Sequence, residues 1–201
     1  ALDAIGRDAR GRVDRAAVTS GRTAAGPGVA LRAGAAIAWT GESFKAETKR
    51  MKKITPFLWF NDNAEEAAEF YVSVFPDAKK LHELRSSGVG PWPEGKIATI
   101  TIELMGQAMT FLNGGPAQAL TPAFSLSVAC RDQAELDQYW EKLMAGGGKP
   151  MACGWLTDKF GLCWQIVPEG IGELLKNPKA MAAMMTMVKF DIAALEAAAA
   201  S

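Results

Sequence analysis

Two stretches of this chain share one plan: an apolar extended run, a turn rich in Asn and Asp, then an amphipathic helix. In the first, Ile54 to Phe60 is the apolar run and Asn61-Asp62-Asn63 offers turn and N-cap oxygens to a helix over 64–75. Ala67, Phe70 and Val74 recur there at helical spacing, as a face against a sheet would, while Glu65, Glu66 and Glu69 point to water, and Pro76-Asp77 ends the helix. In the second, a strand over 124–130 leads to a helix over 133–145, capped by Asp132 and stopped at Gly146. Each opening is followed by further strand signals: 80–86, 97–104 and 108–112 after the first, then 149–155 and 162–167 after the second. The turn Met105-Gly106-Gln107 makes a hairpin of two of them. The order predicts βαβββ twice, an α+β fold in which two modules set their sheets around a shared cleft.

Charge divides the chain unevenly. The first 50 residues hold nine Lys/Arg against five Asp/Glu, and the remainder holds 13 against 17. A net negative folding part argues against a nucleic-acid surface. The early segment is rich in Ala, Gly and Arg with little periodicity, so residues 1–50 are expected to be a disordered leader or an upstream extension, and 51–201 the domain. No apolar run is long enough to span a bilayer and no secretory pattern is present, so a cytoplasmic protein without a membrane partner is the expectation.

The segment CGWLTDKFGLCWQIVP, 153–168, reads as a hairpin whose turn uses Asp158 and Gly161 and whose inner face carries a lone amide, Gln165. Pairing about Asp158 would set Cys153 opposite Cys163, although small buried cysteines are ordinary core residues. The tail holds three helical runs near 171–175, 179–188 and 192–200, with Met181, Met184, Met185 and Val188 expected to pack on the sheet or on a partner subunit.

The blocks ITPFLWFNDNAEEAAEFYVSVFPDA, FLNGG, AELDQYW, CGWLTDKFGLCWQIVP and FDIAALEAA resemble the PhnB-like branch of the vicinal oxygen chelate superfamily, which is often labelled 3-demethylubiquinone 3-methyltransferase-like. The resemblance covers 51–201. It implies paired βαβββ modules in a homodimer, related to glyoxalases, extradiol dioxygenases and bleomycin-resistance proteins. It also implies a concave sheet on which the metal enzymes of the superfamily hold a divalent ion with four side chains, mainly His and Glu. Those positions fall here at or beside Pro56, near Thr110 to Leu112, near Phe124 or Ser125, and at Gln165.

Such metals want several imidazole and carboxylate ligands. The chain has one histidine, His82, on a strand away from these positions, and Gln165 with Ser125 brings no negative charge. The expectation is therefore a cleft with no metal or other cofactor. It would bind a small apolar or aromatic ligand through Trp59, Phe111, Asn113, Phe124, Ser125, Trp155, Trp164 and Gln165. An enzyme with a rearranged metal site is the alternative, and the methyltransferase of the family label is a third reading.

Overall fold

A parallel pairing between the first and last strands of each module organises everything else. The computed structural model describes residues 54–201, so the leader expected over 1–50 lies outside the described residues. The first module runs β1 (Phe57–Phe60), α1 (Ala64–Val74), β2 (Lys79–Arg85), β3 (Ile97–Leu104) and β4 (Gln107–Asn113). The second repeats the order as β5 (Ser125–Cys130), α2 (Gln133–Met144), β6 (Lys149–Pro150), β7 (Trp155–Thr157) and β8 (Cys163–Pro168). Three helices follow: α3 (Ile171–Leu174), α4 (Pro178–Met184) and α5 (Ile192–Ala200). The sheets are ordered β1-β4-β3-β2 and β5-β8-β7-β6, with β1–β4 and β5–β8 parallel and the other neighbours antiparallel. This is the duplicated βαβββ order expected from the sequence.

Alternation of burial assigns the two faces of the first sheet. Along β3, Ile100, Ile102 and Leu104 are buried while Thr99, Thr101 and Glu103 are half-buried. Their cross-strand partners follow suit: Met109 and Phe111 lie in the core, and Thr110 and Leu112 lie on the side facing away from α1. Helix α1 presents Ala64, Ala67, Ala68, Tyr71 and Val74 to the core, with Phe70 only partly covered. Its N-terminus departs from expectation. Asn63 makes no side-chain cap; the Ala64 N–H donates instead to Asn113 Oδ1 at 2.9 Å, across 49 residues of sequence. Helix α2 is capped as the sequence implies, by Asp132 accepting from the Glu135 N–H at 2.9 Å.

One core runs under both modules, and a carboxylate sits at its centre. Asp158, 4% exposed, accepts from Tyr71 Oη of α1 at 2.7 Å and from Trp164 Nε1 of β8 at 2.8 Å, both on Oδ2. Its Oδ1 accepts from the Phe160 and Leu162 N–H groups at 2.9 and 3.1 Å. Burial raises the pKa of Asp158 above the usual carboxylate range, and the bonds from Trp164, Tyr71 and the two backbone donors pull the other way. Around this hub Tyr71 and Phe75 pack on Trp164, with ring centroids 5.5 and 5.3 Å apart, and Phe75 stacks on Tyr139.

Because Asp158 opens the turn instead of centring it, the hairpin register places Thr157 opposite Cys163 and Trp155 opposite Gln165. The pairing of Cys153 with Cys163 is thereby corrected. Cys153 lies beyond the hairpin, and all three described cysteines are free thiols. Burial pushes the Cys130 thiol up to about 12, which removes it as a nucleophile near neutrality.

The tail is sewn onto the second module. The Cys153 and Gly154 N–H groups donate to the Met187 and Val188 carbonyls at 2.8 and 2.7 Å, and Gln133 bonds both the Phe190 carbonyl and the Ile192 N–H. Gly154 is required there: its φ is +76°, and a Cβ would come within 2.5 Å of the Phe190 ring. Of the methionines and valine expected to pack, Met184 meets the core, while Met181, Met185 and Val188 are exposed.

Asp158→Asn leaves one oxygen where two are needed and sets an NH2 group against the Trp164 N–H. The expected loss is about 1–3 kcal/mol, read from the urea unfolding midpoint. A second expectation concerns alkaline pH. Burial first, then the charge of Asp158 and the bond to it, hold Tyr71 well above the ordinary tyrosine value of 10.0. The unfolded chain therefore releases this proton first, so the contribution to stability is intact below about pH 10 and is lost as pH rises further. In Tyr71→Phe, stability measured against pH should fall less steeply above that point.

Candidate functional site

The open side of the sheets is built by the residues that alternate with the core. On β1, Leu58 and Phe60 turn inward, leaving Phe57, 61% exposed, and Trp59 outward beside Thr110 and Leu112 of β4. The ring of Trp59 lies against Gly114, where any Cβ would overlap the indole, and its Nε1 donates to the Gly115 carbonyl at 2.8 Å. The Asn-Gly-Gly sequence after β4 thus has a defined task. Asn113 caps α1, Gly114 gives the indole room, and Gly115 anchors the indole N–H.

Beside β1 the connection into β5 leaves a cavity of about 310 Å³, lined by Pro56, Phe57, Leu58, Trp59, Leu120, Thr121 and Phe124 among others. Its walls are mostly apolar, and Phe124 is 46% exposed. Immediately after Phe124, Ser125 begins β5. Its Oγ accepts from Gln165 Nε2 at 2.8 Å. Gln165 Oε1 and the second Nε2 proton have no partner among the described residues, and Trp155 stands directly across from Gln165 on β7. The second sheet therefore presents a half-satisfied amide flanked by an indole.

The eight residues expected to bind ligand divide into two groups. Trp59, Phe124, Ser125, Trp155 and Gln165 occupy partly or fully exposed positions on this side. Phe111, Asn113 and Trp164 are buried in the core instead. Phe111 packs on Phe60 and Tyr71. Asn113 spends its amide on the Ala64 N–H, Glu65 Oε2 and the Ile97 carbonyl. Trp164 is bonded to Asp158. Sequence reasoning passed over Phe57, although the alternation in FLWF holds its signal, and Leu120, which sits in an irregular segment with no periodic cue.

The positions to which the resemblance carries the superfamily's metal ligands, at or beside Pro56, near Thr110 to Leu112, near Phe124 or Ser125, and at Gln165, hold neutral side chains, a donor set that does not fit a divalent ion. Among the described residues no three His, Cys, Asp or Glu side chains converge to form a metal site. A larger hollow of about 500 Å³ lies between the end of α1 and the start of α2. Its charged groups are engaged locally: Arg131 pairs with Glu135, Asp132 caps α2, and Lys142 reaches the Val74 carbonyl. Among the described residues no helix is long and apolar enough to cross a membrane.

Two modules of βαβββ order, joined through one core with their open faces on the opposite side from the helices, define the vicinal oxygen chelate class of protein. Residues 52–167 match the family described as 3-demethylubiquinone-9 3-methyltransferase, and the chain belongs to that family, the PhnB-like branch of the class. A solved PhnB protein from Bacillus cereus, described under the same methyltransferase heading, shares 34% identity over 58% of this chain and 99% of its own, with a TM-score of 0.53. A protein from Pseudomonas aeruginosa is 24% identical over 59% of this chain and 98% of its own, with a TM-score of 0.49. The fosfomycin resistance protein FosX from Listeria monocytogenes is 16% identical over 62% and 96%, with a TM-score of 0.46. No curated protein matches the chain.

Gly114→Ala should push the Trp59 indole out of its seat and break its bond to Gly115. The expected readout is a red shift of tryptophan emission with the far-ultraviolet circular dichroism unchanged.

Proposed function

We propose that this protein binds a small apolar or aromatic molecule on the open side of its sheets and does so without a catalytic metal. The observation that carries this reading is the β1-side cavity walled by Phe57, Trp59 and Phe124, after which in the chain Ser125 begins β5 and holds the Gln165 amide. Aromatic walls supply the apolar contact. The spare Gln165 N–H and Oε1 offer one donor and one acceptor to orient a carbonyl or hydroxyl on the ligand. Neutral donors at the superfamily's metal positions support recognition by hydrogen bonds over coordination. Assembly as a homodimer and a cytoplasmic location belong to the same proposal.

Duroquinone, an apolar ring with two carbonyl acceptors, should quench tryptophan fluorescence saturably. Gln165→Ala should weaken that binding about five- to tenfold while the unfolding midpoint stays in place. Tight, stoichiometric binding of zinc, nickel, manganese or iron by the purified protein would overturn the metal-free reading. The family description favours a second reading, methyl transfer, whose minimum requirement is binding of S-adenosylmethionine. Equilibrium dialysis against that compound decides it.

A further inference from the structure

The hollow of about 500 Å³ between the end of α1 and the start of α2 holds a buried phenol that nothing in the fold uses. Glu135, Gln138, Tyr139 and Lys142 recur at helical spacing on one face of α2 and line one side of it, with Arg131 just before them and the end of α1 opposite. Tyr139 is 3% exposed and its ring stacks on Phe75, yet its hydroxyl has no hydrogen-bond partner among the described residues. Among those residues no fully buried side-chain oxygen or nitrogen lacks a partner, so this hydroxyl is not sealed in. The space that reaches it is the hollow that Tyr139 lines. Burial first, then the charge of Glu135, hold the phenol above the ordinary tyrosine value, so near neutrality it keeps a proton to donate.

The charges around this phenol are unevenly answered. Glu135 receives Arg131 on both carboxylate oxygens, and Asp132 accepts the Glu135 N–H at the start of α2. Lys142 meets no carboxylate among the described residues; its one bond there, to the Val74 carbonyl, is 3.5 Å long and leaves ammonium protons over. Gln138 makes no side-chain bond among the same residues. We propose that this hollow binds a small carboxylate-bearing molecule, the Lys142 ammonium and the Tyr139 hydroxyl donating to the carboxylate and the Gln138 amide serving a second polar group of the ligand. A carboxylate brings the charge that Lys142 lacks and the acceptor that the phenol lacks. It also brings one negative charge only. Asp132 and Glu135 stand in the same wall, so a more highly charged anion such as phosphate meets repulsion that one ammonium does not offset. This second site is independent of the aromatic one proposed for the open side of the sheets.

The test titrates the 15N-labelled full chain with L-lactate and with L-lactamide, which share a shape and differ in charge. Lactate should shift the amide signals of α2 and of the end of α1 saturably, and should bind about tenfold more tightly than lactamide. Lys142→Met should bring lactate down to the lactamide level, while Lys142→Arg, which keeps the charge, should retain most of the affinity. Tyr139→Phe keeps the ring on Phe75 and should weaken lactate about fivefold, with the α2 signals otherwise in place. Lactate shifts absent from α2, equal binding of the two probes, tighter binding of inorganic phosphate than of lactate, or full affinity in both Lys142→Met and Tyr139→Phe would each overturn the assignment and leave the aromatic site untouched.

Discussion

A buried carboxylate ties the first module to the second inside the core they share. Asp158 gathers a phenol from the first module, an indole from the second and two amide protons from its own turn, all within 3.1 Å. Alone, a carboxylate at this depth would be strongly disfavoured; with four donors converging it becomes a fixed point whose geometry the surrounding rings must respect. Tyr71 cannot move without surrendering that bond, which ties α1 to the turn before β8.

Much of the fold was legible because strands and helices leave periodic marks. The repeated opening of strand, turn and helix announced two modules, and the boundaries of β3 and α2 fall within a residue of their expected ends. What escaped was long-range. Asn63 carries every local mark of an N-cap, yet the first amide of α1 is satisfied by Asn113, because β4 ends beside that helix terminus in the parallel ladder. The role of Asp158 was half visible. A turn residue was evident from its neighbours in sequence, but the tyrosine 87 residues away was not.

The site was less legible than the fold for the same reason. Alternation says that neighbouring residues face opposite ways without saying which way is inward. Phe111 and Trp164 fell to the core and Trp59 and Trp155 to the open side, although all four are large aromatics on strands. Burial of Leu58 and Phe60 against α1 decides the matter for β1, and the bond to Asp158 decides it for Trp164. The threonines of β3 alternate with isoleucines in plain view, but the hydrogen bond between the Thr101 and Thr110 hydroxyls depends on the β3–β4 register.

The seat of Trp59 bears on what recognition costs. Its indole is fixed at one edge by the Gly115 carbonyl and along one face by the bare backbone of Gly114. A tryptophan with free torsions would surrender rotamer freedom on meeting a guest, roughly 0.5–1.5 kcal/mol for a side chain immobilised at an interface. Here that entropy has already been given up during folding. Under the proposed binding role this wall is set before a ligand arrives, so discrimination between ligands of similar size falls to shape and hydrogen bonding.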